Sequence, residues 1–223
     1  IESNDAEIKN IKFTIEQVEK ELIAQQKVYD EAVNMFSSVD GVLYDKQGKE
    51  LLHYPRSKKD TEFVIPDGVE IIKKSALASS KWLESVVIPP TVRELEEAAF
   101  ARSSVRNVKF SEGLEKIRRV AFVGCQIGIL ELPESLKILG DEAFGENYRL
   151  RTVTIPAGVE DVYRSFYGCS NLEEIIFMNR ENPDADYKEA LRYCRELTVY
   201  VPDDTKHEYE FVCSSFASRD SVK

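Results

Sequence analysis

Apolar positions between Phe63 and Val201 recur in one order and at one interval. The stretch "VVIPPTVRELEEAAF", from Val86, sets the order: alternating apolar residues, a proline, an apolar pair three apart, then a small residue and Phe. The same parts return as "FVIPDGVEIIKKSAL" from Phe63, "VKFSEGLEKIRRVAF" from Val108 and "LELPESLKILGDEAF" from Leu130. A shorter copy, "VTIPAGVEDVYRSF", starts at Val153, and worn copies start at Ile175 ("IIFMN") and Val199 ("VYVPDD"). The period of 22 to 24 residues is that of a stacked solenoid rung.

Each part predicts an element. Leu83, Val86 and Ile88, like Leu150, Val153 and Ile155, alternate so that one row faces inward while Val87 or Thr154 faces out. Pro66, Pro89, Pro133, Pro156 and Pro202 end the strand, because proline has no ladder donor. The pairs Val92/Leu95, Leu114/Ile117 and Leu136/Leu139 predict a turn or short extended piece under the strand. Phe100, Phe122, Phe144 and Phe166 then serve as bulky inward fillers beside small residues. No such rung buries its apolar side alone; stacking makes the core continuous. Strands joined this way run parallel, in a right-handed coil.

Residues Asp5 to Phe36 carry a different rhythm. Ile8, Ile11, Ile15, Val18, Leu22, Gln25, Tyr29, Ala32 and Phe36 step alternately by three and four, a heptad stripe on a helix of about 48 Å. Three readings fit it: a helix docked on its own chain, a self-associating coiled coil, or a stalk tied to an anchor. Next, "VDGVLYDKQGKELLHYP" (Val39 to Pro55) holds two alternating runs around turn residues Asp45 to Gly48, which predicts a hairpin. The chain divides into a helix (1–36), a hairpin cap (37–60), the repeats (61–202) and a C-terminal cap (203–223).

Charge narrows the function. A net charge of −10 over 223 residues, with a pI near 4.9, disfavours nucleic acid and anionic lipid as partners. No apolar run approaches the roughly 20 residues of a membrane span. "IESND" at the start has neither an initiator Met nor a signal h-region, so a trimmed or mature form is expected.

Small, semi-polar residues stand just ahead of the first inward strand residue in several rungs: Ser80, Cys125, Asn147, Cys169 and Cys194. They predict a buried turn ladder. With rungs about 4.8 Å apart, Cys125 and Cys169 stand near 10 Å, too far to bond; Cys169 and Cys194 are neighbours and can. Free buried thiols are the expectation, with Cys213 unassigned. His53 and His207 lack the companions of a triad or zinc site. No phosphate-cradling loop, C-x-x-C or glycosylation sequon occurs. Asp186 with Glu189 in "DADYKE" reads as a helix cap in preference to a calcium site. No cofactor, metal or catalytic residue is implied.

The pattern "IPDGV-x-x-I-x-x-x-A-[LF]", together with "FYGCSNLEEIIF" from Phe166 to Phe177, resembles the BspA-type (treponemal-type) leucine-rich repeat family. The resemblance runs from about Val39 to Val212. It includes the hairpin cap and "LTVYVPDDTKHEYEFV" as closing rung and cap. "FSEG" at Phe110 departs by lacking the proline, and Asn179 to Lys188 by a longer loop. The resemblance implies an α/β leucine-rich-repeat solenoid, a right-handed β-α superhelix with a parallel sheet. It also implies a secreted or surface-exposed bacterial protein that adheres and binds without catalysis. An intracellular scaffold of the same fold is the alternative that reduced cysteines permit.

In a parallel stack the outward positions of successive strands form a row, and repeat proteins commonly bind there. The expected row is Val64, Val87, Lys109, Glu131, Thr154, Ile176 and Tyr200, flanked by Glu84, Arg106, Arg151 and Glu173. Lys109 and Glu131 are expected to pair across strands. A protein or glycan ligand is expected mainly on Tyr200, Ile176 and Arg151, since exposed apolar and tyrosine side chains mark interfaces.

Overall fold

The computed structural model describes residues 2–159, 161–179, 191–194 and 197–202, leaving aside the side chains of residues 2–10 and 32. A helix, α1 (Glu2–Met35), runs directly into β1 (Phe36–Val39), which pairs antiparallel with β2 (Val42–Asp45). Asp40 and Gly41, both at positive φ, make the two-residue turn between them. β3 (Glu50–His53) continues the meander, and its turn is closed by Gly48 N–H on the Asp45 carbonyl at 3.1 Å.

From there the chain winds as a stack with two parallel ladders. The long strands are β4 (Glu62–Val64), β6 (Ser85–Val87), β8 (Asn107–Lys109), β10 (Ile129–Glu131), β12 (Thr152–Ile155), β13 (Glu174–Phe177) and β14 (Thr198–Tyr200). Opposite them run two-residue strands: β5 (Ile71–Ile72), β7 (Glu94–Leu95), β9 (Lys116–Ile117) and β11 (Ile138–Leu139). The short ladder joins the cap, in the order β1-β2-β3-β5-β7-β9-β11. The apolar pairs three apart are therefore extended, and turns replace helix among the described residues of each rung.

A third set of bonds closes the corner where the small residue precedes Phe. The N–H groups of Leu77, Phe100, Phe122 and Phe144 reach the carbonyls of Ala99, Ala121, Ala143 and Ser165 one rung on, at 2.7, 2.7, 2.7 and 2.9 Å. Backbones meet closely here, which is why the preceding side chain is small. The four phenylalanines form a buried column with near-parallel rings 4.7, 5.1 and 6.0 Å apart. Tyr54 and Leu77 occupy the column ahead of them, and Tyr54 N–H bonds the Ala76 carbonyl at 2.8 Å.

The small-residue ladder is present and buried. Cys125, Asn147 and Cys169 each donate to the carbonyl of the column residue one rung back: Phe100, Phe122 and Phe144, at 3.2, 2.9 and 3.2 Å. Ser103, unmarked in the repeat pattern, fills the same slot and lies 3.3 Å from Cys125 Sγ. Cys125, Cys169 and Cys194 are free thiols, so no Cys169–Cys194 disulfide forms. Burial pushes the Cys125 thiol up to about 11 and Cys194 to about 12, and raises Cys169 as well. These are structural thiols, disfavoured as nucleophiles. Cys213, His207, the Asp186–Glu189 cap and residues 203–223 lie outside the described residues.

Two turn positions per rung take positive φ, mostly without glycine: Ser75, Ala98, Val120, Glu142 and Arg164 in one, Ser79, Arg102, Gly124, Glu146 and Gly168 in the other. Rung-to-rung hydrogen bonds hold these residues in a costly region. Gly113 has a stricter need. At φ 117° an added Cβ would stand 2.4 Å from the Pro90 carbonyl oxygen, whereas at Gly68 (φ 98°) it would meet nothing within 4 Å. We predict that Gly113→Ala costs about 2–4 kcal/mol, from strain plus overpacking. Gly68→Ala should cost only the strain. Urea melts of both variants check this, and equal losses would discount the clash.

Candidate recognition face

The outward row lines up in two runs. Val64, Val87 and Lys109 stand in register on β4, β6 and β8. Glu131, Thr154, Ile176 and Tyr200 stand in register on β10, β12, β13 and β14. Their inward neighbours Val86, Leu130, Val153, Ile175 and Val199 are buried, so the period-two alternation presents the row. Val64 is 66% exposed; Val87, Thr154, Ile176 and Tyr200 are half-buried. Tyr200 Oη donates to Glu174 Oε1 at 3.5 Å, tying the ring to the neighbouring strand.

The flanking charges pair with one another along the edge. Arg106 stands 3.7 Å from Glu84, and Arg151 donates to Glu173 at 2.6 Å. Arg151 is thus not a free cation. The pair is more than half exposed on both sides, however, so its stabilisation is small.

Between the two runs the ladder breaks. β8 and β10 lie side by side but belong to different sheets, and no Lys109–Glu131 ion pair forms, contrary to expectation. A cleft of about 470 Å³ opens there, lined by Val108, Lys109, Phe110, Glu112, Glu131, Leu132 and Pro133. Phe110 lines it, in the slot that Ile88 and Ile155 fill elsewhere, and stands edge-on to Phe122 at 5.9 Å. Ser111 follows Phe110 where other rungs have proline. The departure at "FSEG" was the sequence signal for this cleft. Ile129, 70% exposed beside it on β10, carried no such signal.

The short-strand side differs in its electrostatics. Lys73 sits between Glu50 (3.6 Å) and Glu96 (2.6 Å), and Glu115 between Arg93 (3.7 Å) and Lys137 (4.0 Å). Glu94 holds Arg118 at 2.7 Å and Lys116 at 3.8 Å, and Glu97 holds Arg119 at 3.0 Å and Lys74 at 3.4 Å. Hydrogen bonds from Arg119 and Lys74 lower the Glu97 pKa, and the bond to Glu96 raises that of Lys73. These charges are spent between rungs. By contrast, Lys109 and Glu131 in the row have no ion-pair partner among the described residues.

Among the described residues no group of three or more His, Cys, Asp or Glu is placed to hold a metal, and no helix is long and apolar enough to cross a membrane. His53 is exposed on β3.

Comparison with known proteins agrees with this geometry. The chain is similar in structure to the pneumococcal vaccine antigen PcpA (TM-score 0.75, 22% identity), over 85% of this chain and 47% of that one. It is similar to a leucine-rich cell surface protein of Faecalibacterium prausnitzii A2-165 (TM-score 0.61, 29% identity), over 65% of this chain and 40% of that one. A leucine-rich repeat protein of T. pallidum matches with TM-score 0.61 and 21% identity, over 79% of this chain and 92% of that one. The chain therefore spans less than half the length of the first two. No curated relative matches it. The model of the BspA-type leucine-rich repeat region matches residues 70–198 in 6 copies, more than half of the chain. The protein belongs to the BspA-type leucine-rich repeat family.

Proposed function

We propose that the chain is a non-catalytic recognition module, secreted or displayed at a bacterial surface, which binds a protein or glycan on the long-strand face. The observation that carries this reading is the contrast between the two sides of the solenoid. Charges on the short-strand side neutralise one another across rungs, as a stabilising surface does. The other side leaves Val64, Ile176 and Tyr200 partly exposed along the outward row, and between its two runs lies a cleft whose lips carry an unpaired lysine and an unpaired glutamate. Apolar and tyrosine surface supplies contact area, and the two charges supply orientation. Burial shields the Cys125 and Cys169 thiols from oxidants, so their reduced state is compatible with an extracellular address. Two such faces on one assembly would add avidity, and α1 is the element that would join them.

The test measures binding to a glycan array and to immobilised fibronectin and collagen. For a ligand so identified, Tyr200→Ser with Ile176→Ser, and separately Lys109→Ser, should each weaken affinity at least about tenfold, or 1.4 kcal/mol. Lys116→Ser on the opposite side should leave it unchanged. An affinity that survives the first two changes places recognition elsewhere on the chain.

A further inference from the structure

The described stripe of α1 does not pack on the solenoid. Ile11, Ile15, Val18, Leu22 and Tyr29 are each more than half exposed, and the strand α1 runs into, β1, is its one substantial neighbour. This overturns the expectation of a helix docked on its own chain. A single helix in water draws most of its stability from burying an apolar face, which α1 has not buried.

We infer that α1 is the seam of a parallel, in-register dimer of this chain. The stripe from Ile8 to Phe36 spans about four heptads, the length at which such a repeat specifies a coiled coil. Ile15, Leu22 and Tyr29 take the a positions, with Ile11, Val18 and Gln25 at d. Gln25 argues for a second copy of the chain as the occupant. Its amide is both donor and acceptor, so in a two-fold pair it meets its own image across the seam and can satisfy it.

The flanking positions agree. In a parallel pair each g residue faces the e residue five positions on in the partner. Thr14 then faces Glu19, Glu21 faces Gln26, and Val28 faces Val33, so no like charges meet. Val28 and Val33, each at least half exposed, widen the apolar seam where Ala32 narrows it. Polar groups away from the stripe bond within the helix, as Lys27 does with Glu31 at 4.0 Å. Phe13 and Ile23 fall outside the stripe. The inference is independent of the ligand proposed above.

Light scattering on the full chain tests it. The expected mass is twice the 25.5 kDa of one chain. Ile15→Asp with Leu22→Asp should halve that mass and leave the melting of the solenoid unchanged. Leu22→Cys, oxidised, should cross-link two chains through position 22, read by peptide mass spectrometry. A wild-type monomer or trimer overturns the inference, as does a dimer that survives the double change or fails to cross-link at 22. A double variant whose solenoid melts earlier shows instead that α1 packs on its own chain, and overturns it equally.

Discussion

Truncating Phe122 to Ala should destabilise the protein by about 3–5 kcal/mol, the range for removing a buried phenylalanine from a core that cannot collapse. Phe122 is fully buried, with Phe100 and Phe144 stacked on its two faces at 4.7 and 5.1 Å and Phe110 against its edge. The preceding rung is held by three sets of backbone bonds and the following rung by two, the short ladder and the corner, so the hole stays open. Phe122→Leu should cost far less, about 1–1.5 kcal/mol, because Leu77 fills the same column one turn from the cap. Urea unfolding with an unchanged slope checks both values. An alanine variant that melts with the wild type would remove the column from the account of stability.

The second large effect is expected at Asn147. Its side-chain amide donates to the Phe122 and Phe144 carbonyls at 2.9 Å each, and its oxygen accepts from the Ile127 N–H at 3.2 Å. Asn147→Leu keeps the branched shape but strands the Ile127 N–H in the core, at about 2–4 kcal/mol once the lost carbonyl bonds are included. Asn147→Ser should recover part of the loss, since Ser80 and Ser103 serve in the same slot. A serine variant no more stable than the leucine variant would mean that filling the space, and not the hydrogen bond, is what counts there.

Much of the architecture was legible from residues alone because it depends on local periods. Alternation by two assigns Val86 and Val153 to the inside and Val87 and Thr154 to the outside without reference to any other rung. The 22-residue interval then places Phe100, Phe122 and Phe144 in one column, and the row of outward positions follows in register. Proline at the strand end needs no neighbour to act. These features repeat, and repetition makes them readable.

What remained hidden depends on the rung above or below. Glu94 and Arg118 gave no sign of pairing, because their contact crosses 24 residues and requires the stacking distance. Val120 and Arg102 sit at positive φ with none of the glycine that would announce it, held there by bonds to Asp141 and Val123 of the next turn. The "FSEG" stretch marked a departure from the repeat, but only the pairing of real strands showed that the long ladder breaks there and leaves a cleft. The heptad stripe told of a helix and left its partner undetermined. Periodicity states which face of α1 is apolar; only packing could settle that its own solenoid leaves that face uncovered.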